Sequence, residues 1–327
     1  MNPEIKLLSS PNWTDYELLD SGDGQKLERF GPYTFVRPEV QALWMKAWPA
    51  EKWQAAHAIF QPTGEESGGH WDFKKRIDEK WEMSYALSPP PLYPPISADG
   101  QKAENVDTIA GNGGTGGGLR FSVMTTPGRH LGVFPECAVH WDWMAGKIIQ
   151  NTKNKIPVNV LNLFGYTGLA TLAAAAAGAR VTHVDASKKS VTWARANQAL
   201  SGLAEKPVRW IVDDALKFVE REGRRGVKYD GISLDPPKFG RGPQGEVWEV
   251  YKSLPELLRA CRAVLSESPL FAVLTVYAVK ASAVHLYYAL EEMVKGCGGN
   301  LECGELVTQE KSAGRLLSQA VYARWKG

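Results

Sequence analysis

The nine residues LDPPKFGRG, from Leu234 to Gly242, place a carboxylate, two consecutive prolines, a lysine and a glycine-rich turn at the end of an apolar run. Two prolines withhold two backbone N–H donors and fix two φ angles. They therefore stop a central strand and leave rigid carbonyls at its carboxyl edge. That is a wasteful place for donors and a sensible one to hold acceptors. The plain alternative is a turn with an exposed lysine. Upstream, LFGYTG (Leu163 to Gly168) joins an apolar run to an alanine-rich stretch. Glycines at a strand-to-helix turn let the backbone pass close to a ligand, beside the free N–H groups that open the helix. The loop is looser than the GxGxxG of dinucleotide enzymes, and taken alone it reads as a simple βα connection. Aspartates then end successive apolar runs: Asp185, about where an acid takes ribose hydroxyls, then Asp213 with Asp214, then Asp235. One such aspartate is commonly a helix cap, as VDAS and DDAL would allow; four at one sheet edge favour a shared ligand.

These residues need a sheet that brings the run ends together. VNVLNLF (158 to 164), RVTHVD (180 to 185), VRWIVD (208 to 213), DGISLD (230 to 235) and LFAVLTVY (270 to 277) are short β-branched-rich runs. Segments between them, such as SKKSVTWARANQALSG and KSLPELLRACRAVLSE, repeat apolar residues at helical spacing. Parallel strands joined by crossover helices follow. NLECGELV and QAVYARW have no helical segment between them, which predicts an antiparallel hairpin at one edge. Before residue 88 the pattern differs. YELLDSGDGQKLERFGPYTFVRP alternates short apolar runs with turn residues and predicts a small β-rich domain over 1–87. Residues 88–118, proline-rich and then glycine-rich, predict a linker or long loop, and 119–327 a second domain.

With 327 residues, 44% of them hydrophobic and 23% charged, the chain has ordinary globular composition and enough length for two domains. Its net charge of +2 divides unevenly, with 13 Lys+Arg against 17 Asp+Glu up to His130 (−4) and 25 against 19 after it (+6). That mild basicity permits a polyanionic partner without demanding one. The alanine-rich run Leu169 to Ala179 is too short to span a bilayer, and the amino terminus lacks a signal pattern, so a cytoplasmic protein with no membrane association is expected. Cys137, Cys261, Cys297 and Cys303 form no CxxC pair and have no histidine at ligand spacing, so neither a disulfide nor a metal is expected.

In this order and spacing, LNLFGYTG, HVDAS, VDDALKF and LDPPKFGRG resemble the successive motifs of class I S-adenosylmethionine-dependent methyltransferases. More narrowly they resemble the branch of bacterial 23S ribosomal RNA large-subunit methyltransferases that carry DPPKF. The resemblance runs from about His130 to the end; the amino-terminal part does not show that branch's usual RNA-binding domain. It implies a Rossmann-like, mostly parallel seven-stranded sheet with the hairpin at one edge, behind the β-rich domain. It implies S-adenosylmethionine as cofactor, held by Asn162, Phe164, Gly165, Tyr166, Thr167 and Gly168 of the turn. Asp185, with Ala186 and Ser187, would take the ribose hydroxyls, and Asp214, with Ala215, the adenine amino group. GRHLGVFPECAVHWDWM falls where that branch closes GFFLDQR over the cofactor. Phe134 and Glu136 match its Phe and Asp, while Cys137 and Ala138 replace its Gln and Arg. At the catalytic edge, Asp235 and the Pro236 carbonyl would position the nucleophile, Asp235 also bordering the cofactor, and Lys238 would meet an anionic group of the substrate.

Carbon-5 methylation of a pyrimidine needs a cysteine thiolate that first adds to the ring, which the family places after the fifth strand. This chain reads LTVYAVKAS there, with Val276, Tyr277 and Ala278 and no cysteine near in sequence. Tyr277 would stack on a base or fill the pocket floor. The expected function is direct methyl transfer to nucleic acid, with ribosomal RNA the favoured partner. The alternatives are methylation of a Gln or Lys nitrogen in protein, and an RNA-assembly protein that binds cofactor without turnover.

Overall fold

The computed structural model describes residues 2–10, 13–63, 68–87, 118–152, 157–277 and 279–327. The amino-terminal part comprises β1 (Ile5–Ser9), β2 (Tyr16–Gly22), β3 (Gln25–Phe30), β4 (Tyr33–Pro38), the short helix α1 (Ala50–Gln54), β5 (Ala58–Pro62), β6 (Gly69–Phe73), β7 (Trp81–Tyr85) and β8 (Leu119–Val123). Strands β2 to β6 form one sheet in chain order, and β7 pairs antiparallel with β8. The β2–β3 hairpin turns through Asp23 and Gly24 at φ 49° and 73°, two left-handed residues whose twist matches that of the flanking strands. Phe30, Phe35, Tyr85 and Phe121 are buried, and Phe35 stacks on Trp81 at 5.7 Å, so aromatic rings supply this part's core. Asp20 is buried too, and accepts hydrogen bonds from Trp48 N, Trp53 Nε1 and Ser312 Oγ. Ser312 lies far along the chain, so this carboxylate ties the first sheet to the second.

The rest of the chain comprises α2 (Ala138–Thr152), β9 (Asn159–Leu163), α3 (Leu169–Ala176), β10 (Arg180–Asp185), α4 (Lys188–Leu200), β11 (Val208–Val212), α5 (Ala215–Arg224), β12 (Gly231–Leu234), β13 (Phe239–Arg241), β14 (Val247–Glu249), α6 (Val250–Val264), β15 (Phe271–Val276), α7 (Ala283–Met293), β16 (Asn300–Gln309) and β17 (Leu316–Lys326), with β13 and β14 paired to each other outside the second sheet. Its strand order is β1-β16-β17-β15-β12-β9-β10-β11. The α/β class and the expected strands are present, with the β16–β17 hairpin antiparallel to β15. An eighth strand is added beyond them, because β1 pairs in parallel with β16. The expected linker lies outside the described residues except for Gly118. Strand β15 is buried along its whole length, as a central strand covered on both faces must be. Helix α3 can lie close to the sheet because Ala173, Ala174 and Ala175, all fully buried, present no bulk.

From β9 the chain steps outward through β10 and β11, then crosses back to β12 and on to β15. The reversal between β9 and β12 opens a crevice at the carboxyl ends of the strands, where open α/β sheets take ligands. Among the described residues no helix is long and apolar enough to cross a membrane.

Candidate active site

The crevice is floored by the turn after β9. Phe164 and Tyr166 hold φ of 57° and 48°, and Gly168 one of 88°. Two non-glycine residues in the left-handed region cost on the order of 1–3 kcal/mol each and persist only where the surroundings hold them. Here Gly165 N donates to Val184 O, Tyr166 N to Asp185 Oδ2 and Thr167 Oγ1 to Gly132 O. Gly165 is required by packing: a Cβ there would lie 2.4 Å from Cε1 of the buried His183 ring.

Asp185 ends β10 half-buried, accepting from Tyr166 N at 2.9 Å and Ser187 N at 2.8 Å, one bond to each oxygen. Burial pushes its pKa up, against the pull of those two N–H groups. Capping of α4 falls to Ser187, whose Oγ accepts from Ser190 N. Asp185 is thus spared that duty, and the second lone pair on each oxygen could take one hydroxyl of a diol. The next two acids divide their work. Asp213 is engaged by Arg221 Nη2 and Asp214 N, whereas Asp214 caps α5 by accepting from Lys217 N through Oδ1 alone.

Across the switch, β12 ends at Asp235. Its Oδ1 is buried and has no hydrogen-bond partner among the described residues. Burial and the Glu136 carboxylate push its pKa up to about 8. The two prolines that follow are not equivalent. Pro237 O accepts from Trp248 Nε1 at 2.7 Å, whereas no hydrogen bond among the described residues engages Pro236 O. A carboxyl group, mostly ionised only above about pH 8, and one rigid carbonyl are therefore left at the crevice with unused lone pairs. A carboxyl titrating near 8 when folded and near 4 when unfolded makes the folded chain bind more protons between those values, so stability falls as pH rises from about 4 to about 8. Asp235→Asn is expected to raise the urea midpoint relative to wild type at pH 8, with the two converging toward pH 4.

The wall of the cleft includes Phe134, Asn162, Phe164, Gly165, Tyr166, Thr167 and Asp235. Glu136, Gly168, Asp185, Ala186, Ser187, Asp214, Ala215, Pro236 and Lys238 do not line it. Of these, Asp185 is joined to it through Tyr166, and the buried Glu136 through its charge on Asp235. Lys238 Nζ sits over the Phe239 ring, 5.3 Å from its centroid.

Several wall residues carried no signal in the sequence. Cys137, His140, Trp141 and Met144 reach the cleft from α2 and the turn before it, and Ser233 and Thr275 from β12 and β15. Cys137 is remote from β15 along the chain, yet its Sγ lies 2.9 Å from Tyr277 Oη, just past that strand. Sequence distance was thus a poor guide to where this thiol sits. Burial, Asp235 and Glu136 push its pKa well above the ordinary value, so it stays a thiol and a poor nucleophile. Tyr277 packs against Phe134 at 5.1 Å, in the wall of the site. Ala278 lies outside the described residues. Among the described residues no group of three or more His, Cys, Asp or Glu is arranged to hold a metal.

No family model matches the chain. A crystal structure of an S-adenosylmethionine-dependent methyltransferase from Agrobacterium tumefaciens is 42% identical, covering 99% of this chain and 96% of that one with a TM-score of 0.83. A putative methyltransferase of the same cofactor class from Streptococcus mutans shares the fold at 16% identity, covering 96% and 75% of the two chains with a TM-score of 0.62. Among curated proteins, ribosomal RNA large subunit methyltransferase K/L of Shewanella frigidimarina is 38% identical over 110 residues, 33% of this chain and 15% of that protein. Its counterpart in Alteromonas mediterranea is 35% identical over 125 residues, 36% and 17% of the two chains. The chain therefore matches about a sixth of the length of these curated relatives.

Proposed function

Because the chain belongs to the S-adenosylmethionine-dependent methyltransferases, we propose that it moves the methyl group directly to a nitrogen of RNA, ribosomal RNA first, in the cytoplasm. The observation that carries this reading is the buried Oδ1 of Asp235 next to the Pro236 carbonyl, both without a hydrogen-bond partner among the described residues. The site residues fit the cofactor: Asp185 retains lone pairs for a ribose diol, and the strained turn brings main chain to the cleft. Bound S-adenosylmethionine supplies an electrophilic methyl group on a sulfonium sulfur.

Asp235, in its ionised form, and Pro236 O would accept the nucleophile's N–H hydrogens, which turns the nitrogen lone pair toward the methyl carbon; as the N–C bond replaces the S–C bond, the nitrogen would give one of those protons to Asp235. Both acceptors are fixed before the substrate arrives, so little reorganisation is needed at the moment of transfer. Phe134, backed by Tyr277, walls the site, and Asp185 and Asp214 would hold the nucleoside half of the cofactor. RNA is preferred to protein as substrate because the curated relatives, which match about a third of the chain, are named for ribosomal RNA.

Tritiated methyl transfer from the cofactor into fractionated RNA and protein of the source cell tests the reading: label is expected in RNA, and label confined to protein would overturn it. Direct transfer has its own consequence. Cys137→Ala is expected to retain methyl transfer, and no covalent adduct should form between the wild type and a 5-fluoropyrimidine RNA. An adduct on a denaturing gel would return carbon methylation to the account.

A further inference from the structure

We propose that the outer face of the β13–β14 ribbon is a stacking platform for an unpaired nucleotide that flanks the methylated one. This inference rests on the RNA reading above. The ribbon begins four residues after Asp235, so Phe239 lies within about 14 Å of it along an extended chain. Its pairing sets Phe239 opposite Glu249, Gly240 opposite Trp248 and Arg241 opposite Val247. Successive side chains alternate between faces. Trp248 therefore points inward, where it is buried, bonded to Pro237 O and packed on Phe164 at 4.8 Å. The outward set is Phe239, Arg241, Val247 and Glu249.

Phe239 is 54% exposed and Val247 70%, and Tyr251, at the start of α6, is 52% exposed. Exposed apolar groups on a ribbon locked to the catalytic turn call for an occupant. Charge identifies it. Lys217 pairs with Glu246 and Lys252 with Glu249, which balances the ribbon's acids, while Arg241 on the outward face and Lys280, whose main-chain N–H donates to Tyr251 Oη, leave the neighbourhood cationic among the described residues. An aromatic face rimmed by cations fits a base and its phosphates, because stacking takes any base and the cations take the backbone. The inward face gives the platform its purpose. A base resting on Phe239 bears on the same ribbon whose Trp248 packs against Phe164 of the strained turn, so the neighbouring nucleotide reaches the crevice in a fixed register.

The test uses the full chain, fluorescence anisotropy, and two single-stranded RNA probes of equal length, one an oligoadenylate and one abasic at every position. Wild type is expected to prefer the oligoadenylate by about 5- to 150-fold, the range for one stacked base. Phe239→Ala should erase that preference without weakening binding to the abasic strand, and Phe239→Trp should keep it. Arg241→Ala should weaken both probes and flatten the salt dependence by about one counterion. Because Phe239 is exposed, the variants should melt with the wild type. Equal affinity of the wild type for both strands, or an undiminished preference in Phe239→Ala, would overturn the platform even where RNA is methylated. Methyl label confined to protein would overturn the RNA reading and the platform together. Self-association of the wild type that is lost in Phe239→Ala would assign the face to a second copy of the chain instead.

Discussion

Asp235→Ala is expected to lower the single-turnover rate of methyl transfer by about two to three orders of magnitude while hardly changing the calorimetric affinity for S-adenosylmethionine. The magnitude is that of removing one preorganised electrostatic contact at a reacting centre, on the order of 3 to 4 kcal/mol. The structure makes the variant a clean one. Among the described residues Oδ1 of Asp235 has no partner to orphan, so its loss leaves no buried donor there unsatisfied and the fold should survive. Asp235→Asn keeps one acceptor oxygen but cannot ionise, so above about pH 8, where Asp235 carries its charge, its rate should fall between the two. Were Asp235→Ala to lose the cofactor as well, LDPP would be a wall of the cofactor site, and the unengaged Pro236 carbonyl would lose its assigned role.

The second large effect is at Asp185. Asp185→Ala should weaken S-adenosylmethionine binding by about 2 to 4 kcal/mol, the cost of charge-assisted bonds together with the partners they leave unpaired. Two contributions reach that figure. The carboxylate is proposed to take the ribose diol, and it also accepts from Tyr166 N and Ser187 N. Asp185→Asn separates them, since one amide oxygen can still receive a main-chain N–H while the charge is gone. Unchanged calorimetric affinity in a folded Asp185→Ala protein would remove the ribose assignment.

Much of this site could be read along the chain because parallel strands announce themselves. β9, β10, β11, β12 and β15 are short β-branched runs, and an aspartate at or just past a run's end lies at the carboxyl edge once the strands align. What could not be read was tertiary. Nothing in CAVHWDWM says which side of α2 faces the cleft, so the contact of Cys137 with Tyr277 was invisible until the helix was docked. The five residues of β1 pair with a strand nearly three hundred positions away, a register that no local pattern encodes. The two prolines are identical in sequence, and only the position of Trp248 decides that Pro237 O is engaged while Pro236 O is not. Likewise KFGRG read as a turn, although GRGPQGEV closes it into a ribbon whose two faces do different things.

Mass spectrometry of nucleosides from RNA methylated with a trideuteromethyl cofactor tests the central claim most directly. Wild-type protein should place the label on a base nitrogen of ribosomal RNA, and Asp235→Ala should yield that product only at a severely reduced rate. A label on pyrimidine carbon-5, or an Asp235→Ala protein as fast as wild type, would contradict direct transfer to a nitrogen held by Asp235 and the Pro236 carbonyl.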